Sequence, residues 1–227
     1  MHPVVFIHGI RVSRTMWNPQ LRLLHGKTLA IAVDLPGHGH RRTEPFTMAT
    51  AVASIADAID AIGEPVVLVG ASLGGYVAYA TAAAHPDHTT GVVTIGSTAI
   101  ITPTRIRPYR LLGKTGFGEK LQRAVIRARL ERSAAADLTA GGMSIEAVPD
   151  ILNALAEFDA LTAVAAYSGP TRFVNGRWDR FRIDEKRFLS TAPDGQLTIV
   201  GGAGHLVNLT RPGEVTAVVE AAATIRH

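Results

Sequence analysis

Apolar residues recur along the chain in two rhythms. Short aliphatic and β-branched runs fall at residues 3–7, 28–33, 66–69, 91–95, 171–174 and 197–200, with the length and composition of strands. Between most of them, apolar positions repeat three and four apart. Val52, Ile55, Ile59 and Ile62 form one such stripe, with Ser54, Asp57 and Asp60 assigned to other faces. Residues 73–84 make a small-residue helix rich in alanine, and Val215, Val218, Val219 and Ala222 make another stripe near the end. Strands apolar throughout are buried on both faces, and the intervening helices supply the cover. The pattern therefore predicts an α/β fold, a doubly wound and mostly parallel sheet of about six strands with right-handed crossovers.

The alternation stops between residues 103 and 168, where no strand signal occurs. Two amphipathic helices are predicted there, one carrying Phe117, Leu121 and Val125, the other Val148, Leu152 and Leu155, with a turn at Gly141 and Gly142 between them. The expected organisation is a core of residues 1–102 and 169–227 with a helical cap inserted at 103–168. In open α/β sheets ligands bind beyond the carboxyl ends of the strands, so reactive side chains belong in the loops that follow them.

Composition narrows the partners. At 227 residues, 47% hydrophobic and 19% charged, the chain has the make-up of one ordinary globular body. No run approaches the ~18 apolar residues of a membrane span, and no signal segment precedes the first strand, so a cytoplasmic protein with no membrane partner is expected. The formal charge is +4, but the basic residues are dispersed. Their densest cluster, Arg123, Arg127, Arg129 and Arg132, is interleaved with Glu119 and Glu131 and reads as a solvated helix face, so no nucleic-acid partner is expected. The absence of cysteine removes disulfides, thiolate metal sites and cysteine nucleophiles together.

Candidate chemistry sits after the strands. Gly70-Ala71-Ser72-Leu73-Gly74 follows the run at 66–69 and opens a helix, the context that a G-x-S-x-G nucleophile elbow requires. The tight turn strains the serine backbone and projects its hydroxyl above the sheet. A serine needs a base; His205, in Gly201-Gly202-Ala203-Gly204-His205 after the run at 197–200, stands at the same edge. The base needs an acid to fix its tautomer, and Asp179 follows the run at 171–174 through Asn175-Gly176-Arg177-Trp178. The residues after the run at 91–95, Gly96, Ser97 and Thr98, offer no acid; Asp194 precedes its strand, and Asp184 belongs to a helix. The backbone N–H groups of Leu73 and of Ile10, in His8-Gly9-Ile10-Arg11, are the expected oxyanion donors, and His8 is read as loop-shaping. Arg11, Trp17, Trp178, Phe181 and Leu206 are candidate substrate contacts, each with an equal alternative as core or loop support.

Phe6-Ile7-His8-Gly9, Asp34-Leu35-Pro36-Gly37-His38-Gly39, Gly70-Ala71-Ser72-Leu73-Gly74-Gly75, Asn175-Gly176-Arg177-Trp178-Asp179 and Gly204-His205, in the order Ser, Asp, His, resemble the α/β-hydrolase superfamily across nearly the whole chain. The likeness is to its serine esterase and lipase branch with a short helical cap. It implies a sheet whose first strand is the third of full-length members, with the N-terminal hairpin lacking. A serine at the elbow separates the chain from the haloalkane dehalogenases and epoxide hydrolases, whose nucleophile is aspartate. Asp34 matches a position that organises loops, while His40-Arg41-Arg42 departs from the usual small polar residue and reads as a solvent-exposed loop. The expected activity is cleavage of a small carboxylic ester through an acyl-enzyme, with a small-molecule acyl substrate and neither metal nor cofactor. Carbon-carbon bond hydrolases, thioesterases and lactonases use the same triad, and a ligand-binding receptor on the same fold is the non-enzymatic alternative.

Overall fold

A computed structural model describes residues 1–107, 126, 128 and 130–225. The predicted helix carrying Phe117, Leu121 and Val125 lies outside these residues, as does most of the arginine cluster. All six predicted strands form: β1 (Val4–Ile7), β2 (Ala30–Val33), β3 (Val66–Ala71), β4 (Thr89–Ile95), β5 (Pro170–Gly176) and β6 (Asp194–Val200). They make one sheet in the order β2-β1-β3-β4-β5-β6, parallel at every pairing. The reversal of strand order beside β1 opens a crevice at the carboxyl edge.

Side chains alternate across the strands and divide the core in two. Val5, Ile7, Leu68 and Phe173 face a layer made by α2 (Met48–Ile62) and α3 (Leu73–Ala84) with Ile55, Ile59 and Tyr79. Val4, Phe6, Val67 and Val69 face the other layer, with Leu24 of α1 (Asn18–Leu24) and, near the carboxyl terminus, Val215 and Val219. β1, β3 and β4 are buried along their whole length. The edge strands differ from the all-buried expectation: β2 is half-exposed and β6 alternates exposed and half-buried, because an edge strand is covered less completely.

In α2, Ser54 is buried on the core side rather than turned away. Its hydroxyl donates to the Ala51 carbonyl at 2.7 Å, which removes most of the cost of burying it. Thr47 and Thr50 form a capping box at the start of this helix, and Gly63 ends it at φ +78°.

Between β4 and β5 the described insertion contains α4 (Arg132–Thr139), α5 (Val148–Glu157) and α6 (Ala160–Ala166). The predicted stripe of Val148, Leu152 and Leu155 is buried on α5, and Gly142 turns the chain at φ +81° between α4 and α5. Ile151, Leu155, Ala163, Val164 and Tyr167 join the main core, and the last helix of the 103–168 segment, α6, packs against α3. α7 (Glu185–Thr191), α8 (Val207–Thr210) and α9 (Pro212–Ala223) complete the fold. No helix among the described residues is long and apolar enough to cross a membrane.

Candidate active site

β3 runs into α3 through a single residue out of the ordinary backbone regions. Ser72 has φ +51° and ψ −116°, a conformation that costs a non-glycine residue about 1–3 kcal/mol. Glycines on both sides make the turn possible. A Cβ on Gly70 would strike the Gly74 carbonyl, and one on Gly74 would strike the Ile7 carbonyl at the end of β1. The Ser72 N–H donates to the Ile95 carbonyl of β4 at 2.8 Å, and Ser97 Oγ donates back to the Ser72 carbonyl at 3.0 Å. Strand ends on both sides therefore grip the elbow.

The loops after β5 and β6 bring Asp179 and His205 together. His205 Nδ1 and Asp179 Oδ2 are 2.9 Å apart, and the other carboxylate oxygen accepts the Phe181 N–H at 2.9 Å. Asp179 is buried, so the carboxylate holds one tautomer: the Nδ1–H donates to Asp179, and Nε2 keeps its lone pair. The pair rests against Gly96, where a Cβ would come 2.8 Å from both Asp179 Oδ2 and His205 Nδ1. Gly96 directly follows the residue whose carbonyl receives the Ser72 N–H. Neither the Ser72 hydroxyl nor His205 Nε2 has a hydrogen-bond partner among the described residues. In unliganded sites such bonds are commonly long and tighten only around substrate.

The loop after β1 approaches the elbow from the opposite side. A Cβ on Gly9 would lie 3.6 Å from Ser72 Cβ. The next N–H, that of Ile10, and the N–H of Leu73 at the first position of α3 both lack an acceptor among the described residues. Leu73 is buried and Ile10 partly so, and the helix N-terminus behind Leu73 adds a favourable field for negative charge.

The supporting loops carry an unusual set of buried polar groups. His8 accepts the Leu35 N–H on Nε2 at 3.0 Å and donates its Nδ1–H to the Gly9 carbonyl at 2.8 Å. Complete burial, and then the neighbouring His38, push His8 down to about 3; burial also lowers His38. Asp34 is buried, which alone would raise its carboxyl. N–H groups of Arg14 and His40 and the His40 ring outweigh that effect and hold it low. The sign is the same for all three. The unfolded chain takes up protons on these imidazoles below about pH 6.5, whereas folded His8 resists until about pH 3. We expect the melting temperature to fall as pH drops from about 6.5 toward 3, and His8→Asn to flatten that slope in a thermal-shift series.

The model of the alpha/beta hydrolase family matches residues 4–218. The chain belongs to this family. As an alpha/beta hydrolase it is 28% identical over 242 aligned positions to the pimeloyl-[acyl-carrier protein] methyl ester esterase of Xylella fastidiosa (strain M12), spanning 96% of this chain and 93% of that protein. A shorter stretch of 109 residues is 40% identical to the protein of the same name from Neisseria meningitidis serogroup B (strain H44/76), covering 48% of this chain and 41% of the relative. Among solved structures, a thermophilic esterase from Thermogutta terrifontis superposes with a TM-score of 0.78 at 26% identity, over 97% of this chain and 89% of that one. An E-2-(acetamidomethylene)succinate hydrolase shares the fold, with a TM-score of 0.83 at 22% identity over 99% and 92% of the two chains.

Within this hydrolase the suggested substrate contacts separate. The Phe181 ring packs at a tilt against His205, centroids 4.7 Å apart, and the half-buried Leu206 follows His205 in the chain. Trp178 is 74% exposed, beside the site but outside the core. Trp17 is fully buried with its ring 4.8 Å from Phe6, so it packs the sheet and is not a pocket wall. Arg11 sits at φ +70°, and its backbone is tied on both sides, its N–H to His38 Nε2 at 3.3 Å and its carbonyl to the Ser144 N–H at 3.0 Å. His40-Arg41-Arg42 is more than a solvated loop. His40 bonds Asp34, Arg41 pairs with Glu44, and Arg42 reaches the Met143 carbonyl of the insertion. Sequence reasoning missed His38, whose side chain touches the Ile10 loop. Its place within Asp34-Leu35-Pro36-Gly37-His38-Gly39 was the available signal.

Proposed function

We propose that the chain is a carboxylic ester hydrolase acting through Ser72, His205 and Asp179. The observation that carries this reading is the Asp179–His205 pair at the same sheet edge as a serine in a strained strand-to-helix elbow, beside two N–H groups that have no acceptor among the described residues. His205 Nε2 takes the Ser72 proton as Oγ attacks the carbonyl carbon. The Ile10 and Leu73 N–H groups receive the negative charge that develops on the carbonyl oxygen. His205 then returns the proton to the leaving alkoxide, which departs as the alcohol and leaves an acyl group on Ser72. Water, deprotonated by the same Nε2, attacks that acyl group, and the acid is released with the serine restored. Every proton in the cycle moves through His205, so it draws on neither metal nor organic cofactor.

The substrate is a small ester. Ile10, Phe181 and Leu206 supply apolar surface next to the reacting groups, Trp178 the outer rim, and Arg11 a cationic side chain on the oxyanion loop. Likeness to a methyl ester esterase over nearly the full length supports esters of short alcohols as the first class to assay.

A fluorophosphonate probe is expected to leave its adduct on Ser72, mapped by peptide mass spectrometry. Simple methyl and p-nitrophenyl esters should turn over ahead of acyl thioesters, lactones and β-diketones in one panel. An adduct on another serine moves the nucleophile, and turnover confined to the other classes changes the scissile bond. Neither adduct nor turnover would leave a ligand-binding member of the family.

A further inference from the structure

We propose that His38 is a positioning residue for the oxyanion donor of Ile10: by accepting the Arg11 N–H it holds the left-handed turn that keeps the Ile10 N–H directed at the elbow. The inference rests on the ester-hydrolase reading, since it gives Ile10 a role in that reaction.

Ile10 lies between two consecutive peptide planes, and each is held by a buried imidazole. The Gly9–Ile10 plane is fixed through its carbonyl, which accepts the His8 Nδ1–H at 2.8 Å. Because the peptide is planar and trans, that carbonyl and the Ile10 N–H point in opposite directions; an oxygen turned to His8 leaves the N–H turned away from it. The Ile10–Arg11 plane is fixed through its N–H, donated to His38 Nε2 at 3.3 Å. With both planes held, the Ile10 dihedrals have no freedom to swing the donor.

Something must hold the second plane. Among the described residues, Arg11 and Ser72 are the two non-glycine residues with positive φ, and such strain persists only where the surroundings over-determine it. At Arg11 the surroundings are His38 on the N–H and the Ser144 N–H on the carbonyl. His38 suits the task. Its Nδ1–H donates to the Pro36 carbonyl at 3.0 Å, which selects the tautomer with a lone pair on Nε2. The ring is fully buried, edge-on to His8 at 4.8 Å, and burial disfavours the protonated form that would abolish the acceptor. Nothing in the proton relay uses His38, and its partners are backbone groups.

Three variants separate positioning from mere packing. His38→Asn keeps a donor near the Pro36 carbonyl and loses the acceptor at the ε position. His38→Leu fills the space with no acceptor, and His38→Gln carries an acceptor to the ε position. On a p-nitrophenyl ester, the Asn and Leu variants are expected to lose about 10- to 100-fold in kcat with KM within about twofold, as for a displaced rather than deleted oxyanion donor. Their affinity for a trifluoromethyl ketone, which builds an oxyanion on the serine, should fall in step with kcat/KM, and Gln should restore most of both. Folding is checked by circular dichroism, and either acceptor-less variant suffices if the other does not fold. A folded Asn or Leu variant with wild-type kcat and ketone affinity overturns the role of His38, as does a loss confined to KM. Failure of the wild-type protein to label at Ser72 would instead remove the ester-hydrolase reading itself.

Discussion

Ser72→Ala is expected to lower kcat on a simple ester by about 10⁴- to 10⁶-fold, the range typical for loss of a nucleophile in an otherwise intact site. The hydroxyl makes no hydrogen bond among the described residues, so its removal leaves no orphaned partner. Alanine keeps the Cβ and therefore the same backbone strain at φ +51°. The variant should melt within a degree or so of wild type, the range of a change that touches no named stability mechanism. Ser72→Gly makes the complementary statement. It should be equally inactive yet more stable by about 1 kcal/mol, because glycine tolerates this region of backbone space. That corresponds to a rise of about 2–4 °C in a chain of this size. Equal melting temperatures for the glycine and alanine variants would show that the elbow stores no strain; retained activity in either would remove Ser72 from the mechanism.

The largest effect on stability is expected at Gly74. A Cβ there would collide with the Ile7 and His8 carbonyls, backbone atoms that cannot move aside without shifting the end of β1. Gly74→Ala should cost about 3 kcal/mol or more, at the upper end of overpacking effects. It should also reduce the activity of whatever protein remains folded, since the same contact sets Leu73 beside the Ile10 loop. Gly201→Ala is the control. That glycine has open space where a Cβ would go, so its replacement should stay within about 0.5 kcal/mol of wild type. Urea unfolding of the two variants, with ester turnover measured in parallel, makes the comparison. Similar midpoints for both would mean that the β1–α3 contact is not as close as described.

The strands were legible because a parallel sheet writes itself into local sequence as short apolar runs, and each candidate reactive residue sits a few positions after one of them. What the runs do not encode is which neighbours lie across the sheet. In sequence Trp17 suits a pocket or a core equally, and only its contact with Phe6 on β1 places it in the core. The polarity of Ser54, which sets it off the apolar stripe, is visible in sequence, whereas its bond to the Ala51 carbonyl is not. α6 is helical like its predecessors, and its packing into the main core against α3 is likewise invisible in the sequence.

Taken by itself, the order of residues determined the layered α/β architecture, the edge at which chemistry is sought, and the identity of Ser72, Asp179 and His205 as candidates. These depend on periodicity and on distance from a strand end, both properties of adjacent positions. Tertiary structure alone decided the joining of Asp179 to His205 and the hold of His8 and His38 on two successive peptides. Those features depend on hydrogen bonds between groups up to 27 positions apart. Such bonds have no periodic trace in the chain, because only the folded sheet brings their partners within reach.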